Sequence, residues 1–204
     1  TGWSKPSCLT HNEFADLAPR FQPYGGGALA IWLVDRDSEM STLEDNSLQY
    51  SIFDNGSWSR PEGVPEAVNV WGPPSLATCG KKAVVTFEVD LDGDPKTTRD
   101  REIYCSFFEE GKWGEPSRVT RNDFEDARPS ITILRNGSVV LTWIQRDDGG
   151  DHLMTSCFDG NSWSDPEALV ESSRIKEQKI LSCGNALILQ YLAPSDASPS
   201  SIYY

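Results

Sequence analysis

Apolar positions in this chain fall in short runs of β-branched and aromatic residues, cut apart by Gly, Asn, Asp and Pro. Residues 83–89 alternate and branch as a strand does, Gly80-Lys81-Lys82 is the turn before them, and residues 75–79 form the shorter run beyond that turn. A polar loop from Asp90 to Arg101 leads to a third strand over 102–108, and Glu109-Glu110-Gly111 turns tightly into a fourth that carries Trp113. Four short strands joined in this way make an antiparallel meander, the unit of a propeller blade.

The unit recurs. Residues 20–24, 28–34 and 48–53 repeat it upstream. Residues 130–134 and 138–145, joined by an Asn136-Gly137 hairpin turn, repeat it downstream, followed by 179–183 and 186–192. A Gly, Trp and Pro signature marks each copy at Trp3, Trp58, Trp113 and Trp163, with spacings of 55, 55 and 50 residues and a Pro three places after every Trp. That period belongs to stacked repeats or propeller blades. The expected fold is therefore all-β, a β-propeller of four-stranded antiparallel blades, about four per chain. Residues 1–204 form one domain with repeats at 7–61, 62–116, 117–166, and 167–204 completed by 1–6. The last unit lacks an outer strand and the chain begins with an orphan one around Trp3. Pairing the two would close the ring without exposed sheet edges, either in the same chain or in a homodimer whose chains complete a larger ring.

With the strands placed, the repeats resemble those of bacterial and archaeal extracellular propellers related to the sialidase (BNR, Asp-box) superfamily. The residues concerned are Ile103, Tyr104 and Ser106; Ser51, Asp54, Gly56 and Trp58; and Ser156, Asp159 and Trp163. The superfamily's box reads S-x-D-x-G-x-x-W, whereas two copies here read S-x-x-[DE]-x-G-x-W, with the acid displaced by one place. The resemblance implies a structural role for the box: Asp54 and Asp159 accepting backbone amides in the turn, Trp58 and Trp163 packing between sheets. It carries over nothing catalytic, because no F-R-I-P-like segment occurs and Arg20, Arg128 and Arg146 match no arginine-triad pattern.

Composition narrows the partners. A formal charge of −13 argues against nucleic-acid backbone as a ligand and is compatible with gathering divalent cations. No apolar run is long enough to insert in a membrane. The start at Thr1 is read as that of a processed or cut chain, and the resemblance to extracellular propellers implies a secreted or cell-surface protein. Five Cys with no C-x-x-C pair are read as small buried hydrophobes rather than a disulfide framework.

Two loop features carry candidate chemistry. The loop between second and third strands reads Asp90-Leu91-Asp92-Gly93-Asp94 with Asp100 beyond it, and its counterpart reads Asp35-Arg36-Asp37-Ser38-Glu39 with Asp45. Alternating carboxylates can converge on a hard cation, so Asp90, Asp92, Asp94 and Asp100, and Asp35, Asp37, Glu39 and Asp45, are the expected ligands of Ca2+. The bland reading is a solvated acidic loop of Asx turns. The other feature, N-[ED]-F-x-D-x-x-P, occurs at 12–19 and 122–129. It places Phe14 and Phe124, with Trp71 at the matching site, on the same face as the acidic loops. These aromatics suit a sugar ring or a partner's side chain; alternatively, Phe14 and Phe124 plug the seams between blades while Asp16 and Asp126 cap the turn. Trp32, Phe87, Trp143 and Tyr191 share one register position and are read as packing between sheets. The expected function is a non-catalytic binding or scaffold module that engages a glycan or protein ligand through an acidic face, with Ca2+. A glycoside hydrolase using face carboxylates, or a purely structural assembly unit, are the alternatives.

Overall fold

The computed structural model describes every residue except 1, 3, 40, 41, 184, 185, 196 and 197. Its described residues form four antiparallel sheets and no helix, hence none that could cross a membrane. The sheets are the blades of a four-bladed propeller. Blade 1 comprises β1 (Ala15–Tyr24), β2 (Gly27–Asp35) and β3 (Ser47–Asp54), with β4 (Ser57–Trp58) and β5 (Glu62–Val68) both paired to β3. Blade 2 runs from β6 (Val70–Cys79) through β7 (Lys82–Asp90) to β8 (Arg101–Glu109), edged by β9 (Lys112–Trp113) and β10 (Ser117–Arg118). Blade 3 is β11 (Glu125–Ile133), β12 (Val139–Asp147), β13 (Gly150–Phe158) and β14 (Glu167–Ser172). Blade 4 is β15 (Glu177–Cys183), β16 (Ala186–Ser195) and β17 (Ser198–Tyr203). The outer strand expected from the N-terminus involves Trp3, outside the described residues; Gly2 and residues 4–10 carry no strand.

The core lies between blades, because each sheet is apolar on both faces. Leu29, Ile31 and Leu48 of blade 1 meet Val85, Phe87 and Phe108 of blade 2. Val84, Ile103 and Cys105 meet Leu141 and Trp143 of blade 3, and Ile144 and Leu153 meet Ala193 of blade 4. At the repeated aromatic position Trp32, Phe87 and Trp143 are all at most 4% exposed, while Tyr191 is half-buried and stacks on Tyr203. Trp113 wedges between Tyr50 and Phe108 across the first interface. Trp58 instead rests on Phe53 and Phe21 at the edge of blade 1 and is exposed.

The box turn performs its expected task at Asp159, whose Oδ1 accepts the amides of Asn161 and Ser162 at 2.8 and 2.9 Å. Asp54 accepts one backbone amide, that of Asn55 at 3.0 Å, together with the Asn55 side-chain amide at 3.1 Å. All five Cys are free, yet Cys105 alone is buried, so the reading of the thiols as core residues holds at one position. Hydroxyls on the inner strands fasten blade to blade: Ser75 Oγ accepts the amide of Ile131 and Ser130 Oγ that of Ile180, at 3.1 and 3.0 Å. The four inner strands β1, β6, β11 and β15 thereby surround one central channel.

Candidate functional site at the channel mouth

The geometry of the mouth begins with a backbone irregularity. In β1 and β11 the pairing slips between Leu17 and Arg20 and between Ala127 and Ser130, and Ala18 and Arg128 there take left-handed φ of 48° and 55°. The prolines of the N-[ED]-F-x-D-x-x-P motif, Pro19 and Pro129, sit in these bulges, where no ladder donor is needed. Gly72, Pro73 and Pro74, between Trp71 and Ser75, make the equivalent break in β6. The bulge releases the Arg128 amide, which donates to Glu88 Oε1 at 2.7 Å across the blade boundary, while the Arg128 carbonyl accepts Gln178 Nε2 at 2.6 Å. One residue thus bridges three blades and turns its guanidinium to solvent.

The turn before each bulge is capped by Asn rather than Asp. Asn12 Oδ1 accepts the Phe14 amide at 3.0 Å and Asn122 Oδ1 the Phe124 amide at 2.8 Å. Asp16 and Asp126 instead accept indole N–H groups, from Trp32 at 2.8 Å and from Trp143 at 2.7 Å. An indole brings one donor into an apolar seam, and a carboxylate on the adjacent strand meets it there.

These features open a cavity of about 740 Å3 at the mouth of the channel. Its walls carry Arg20, Arg101, Arg128, Arg146 and Lys179 against Glu88, Glu125 and Glu177. Arg101 donates from Nε to Asp90 Oδ2 at 3.1 Å and from Nη2 to the Pro95 carbonyl at 3.0 Å, and its guanidinium lies 4.2 Å from the centre of the Trp71 ring. Glu125 pairs with Arg146 at 2.6 Å and with Arg101 at 3.7 Å, holding both in place. Arg20, Arg128 and Lys179 are exposed and, among the described residues, form no ion pair. Glu88 is 3% exposed, and burial pushes its carboxyl up to about 7 despite the Arg128 amide and the nearby Arg101 and Arg128 charges. Five cations against three carboxylates reverse the sign of a chain whose formal charge is −13.

Of the aromatics singled out from sequence, Trp71 alone enters this mouth. Phe124 lines a separate depression with Asp147 and His152, and Phe14 is 40% exposed beside Arg36. In the acidic loops, Asp35, Asp37 and Asp45 converge, as do Asp90, Asp92 and Asp100, with one oxygen from each residue within 4.8 Å of the others. Glu39 and Asp94 lie outside these clusters; the Asp94 carboxylate accepts the Lys96 amide instead. Burial raises the Asp35 and Asp90 carboxyls above the ordinary range, while backbone amides lower those of Asp37 and Asp92. The arginine cluster went unread in the sequence. Arg101 opens β8 and Arg146 lies near the end of β12, so only the antiparallel strand directions, set beside the bulge at Arg128, bring them together.

Fold and site together define a β-propeller with a charged, partly aromatic mouth to its central channel. No protein-family description and no curated protein matches the sequence. Among solved structures, the chain is similar to a Hadza microbial sialidase (TM-score 0.63, 14% identity, 87% of this chain and 42% of that one). It is also similar to an endo-arabinase from Bacteroides thetaiotaomicron (TM-score 0.54, 17% identity, 91% and 73%) and to the Aleuria aurantia lectin in complex with Fucalpha1-6GlcNAc (TM-score 0.57, 15% identity, 85% and 53%). The chain spans less than two thirds of the sialidase and lectin chains. In fold it resembles sialidase-like and arabinanase-like propellers.

Proposed function

We propose that this chain is a carbohydrate-binding propeller module of a secreted or cell-surface protein, and that its ligand is a glycan bearing a carboxylate or another anionic group. The observation that carries the reading is the gathering of Arg20, Arg101, Arg128, Arg146 and Lys179 at one cavity of a strongly acidic chain. The division of labour among them supports it. Arg101 and Arg146 are engaged with Asp90 and Glu125, whereas the exposed heads of Arg20, Arg128 and Lys179 can meet an anion from solvent. A cavity of about 740 Å3 is within the range of ligand pockets, and Trp71 offers an aromatic contact for a sugar ring. The similar folds named as a sialidase, an arabinase and a lectin all concern saccharides, which favours a sugar over other anions.

The test is binding to an array that contains uronate-bearing, sialylated, sulfated and neutral glycans. The expected outcome is retention of acidic glycans alone, weakened about tenfold or more by Arg128→Ala and again by Arg20→Ala, and weakened by added salt. Equal binding of neutral and acidic glycans, or a blank array, would overturn the proposal. Turnover of an aryl glycoside that disappears in Glu88→Gln would replace binding with hydrolysis.

A further inference from the structure

The loops after β2 and β7 share most of their internal hydrogen bonds. Thr42 Oγ1 donates to the Asp37 carboxylate at 3.1 Å and to the Glu39 carbonyl at 2.8 Å; Thr97 Oγ1 does the same to Asp92 at 3.1 Å and to Asp94 at 3.0 Å. Asp45 Oδ2 accepts the amides of Arg36 and Asp37 at 2.7 and 2.6 Å, and Asp100 Oδ2 accepts that of Asp92 at 2.9 Å. These bonds reach both oxygens of Asp37 and Asp92, but they leave one oxygen bare on each of the other four carboxylates. Asp35 Oδ2 and Asp45 Oδ1 in the first loop, and Asp90 Oδ1 and Asp100 Oδ1 in the second, are enclosed and meet no donor among the described residues. Asp35 and Asp90 are 1% and 0% exposed, so bulk water does not reach them.

We propose that each loop is a Ca2+ site, one formed by Asp35, Asp37 and Asp45 and the other by Asp90, Asp92 and Asp100. A bare, buried carboxylate oxygen facing two further carboxylates is unfavourable unless a cation, or a proton shared with a neighbour, stands among them. Oxygens no more than 4.8 Å apart can all reach one ion whose metal–oxygen bonds are about 2.4 Å. An all-oxygen set without His or Cys selects a hard cation, and an irregular loop suits calcium better than the strict octahedron of magnesium. Blade 3 supplies the contrast. Asp147 Oδ1 accepts the amides of Gly149 and Gly150 and Oδ2 meets His152 Nε2, and no carboxylate of that blade has an enclosed oxygen without a partner among the described residues. The two sites differ in one respect: Arg101 already donates to Asp90 Oδ2, whereas no cationic side chain pairs with Asp35, Asp37 or Asp45 among the described residues. The first site therefore binds the ion more tightly. Because Arg101 also lies against Trp71, the second ion fixes one wall of the channel mouth.

The test is isothermal titration of Ca2+ into the full chain after EDTA treatment, alongside its melting temperature. Two ions per chain are expected, with melting raised by several degrees at about 1 mM Ca2+ and restored to the starting value by EDTA. Asp45→Asn and Asp100→Asn should each remove one ion and together remove both, while Asp147→Asn leaves two. In EDTA the Asp45→Asn and Asp100→Asn variants should melt no lower than the parent, since each relieves like-charge repulsion; a lower melt there would show that the loops are stable as bare acid clusters and overturn the proposal. No heat and no change in melting for the parent, unchanged stoichiometry in the double variant, or equal affinity for Mg2+ would also overturn it.

Discussion

Asp126→Ala is expected to destabilise the protein far more than the equivalent Asp16→Ala, although both remove the acceptor of a tryptophan indole. Asp126 is fully buried and accepts Trp143 Nε1 at 2.7 Å, Asn122 Nδ2 at 2.7 Å and Gln145 Nε2 at 3.1 Å. Trp143 is itself 0% exposed, so its N–H has no other partner within reach once the carboxylate is gone. An orphaned buried donor costs about 1–3 kcal/mol, and a bond to a charged acceptor contributes about 1.5–3 kcal/mol. The amides of Asn122 and Gln145 are half-buried and can turn to water, and the carboxylate's own desolvation returns part of the loss; burial is what raises the Asp126 pKa. The net cost is about 2–4 kcal/mol. Asp16 is half-buried and serves Trp32 alone, so water substitutes for it at a cost of about 1 kcal/mol or less. Asp126→Asn keeps an acceptor for the indole and should lose little. Its pH dependence carries the opposite sign from that of a stabilised carboxylate. With the folded pKa raised, the contribution of Asp126 is fully present below its unfolded pKa and is lost as pH rises through the folded one, and the Asn variant flattens that decline. Urea unfolding followed by tryptophan fluorescence measures all three variants. A cost for Asp126→Ala no larger than that for Asp16→Ala would refute the reasoning, as would a double-mutant cycle with Trp143→Phe that shows no coupling.

Two further outcomes follow from single contacts. Tyr50 is buried and donates to the Glu62 carboxylate at 2.9 Å; burial first, then that bond, pushes its pKa up to about 12. Its stabilising contribution holds below the ordinary tyrosine value and is lost as pH rises through about 12, so absorbance at alkaline pH should show a late-ionising component that moves to lower pH in Glu62→Gln. Gly27→Ala should abolish folding or shift the urea midpoint drastically, because a Cβ there would stand 1.8 Å from the Phe53 carbonyl oxygen, whereas Gly26→Ala next to it meets open space and should be neutral; equal midpoints for the two would contradict the β2–β3 register.

The fold was legible because its signal is repeated. Strand-length apolar runs, turn residues and the Trp period each constrain the same meander, and a mistake in one unit is corrected by its copies. The acidic loops were legible for the same reason: Asp35 and Asp90 occupy equivalent places, and each gathers two of its expected partners. What repetition does not convey is the exception. Arg128 is Ala18 in the first copy of the motif, so alignment of the repeats gives no hint that its side chain matters. The Asp of that motif was assigned to the turn because Asp commonly caps turns, but Asn12 and Asn122 already do so, which leaves Asp16 and Asp126 for the indoles.

The channel mouth shows why unique residues collect where they do. A propeller's inner strands present equivalent positions to one axis, so a substitution in any single blade is brought within reach of the others without altering the sheets. Ser75 and Ser130 occupy the inner-strand position that latches the next blade. The corresponding places in blades 1 and 4 hold Arg20 and Lys179, both exposed and both on the cavity wall. Two interfaces are therefore fastened by hydroxyls at a register position that elsewhere supplies charge. The same repeat position builds the ring on one side and equips its mouth on the other.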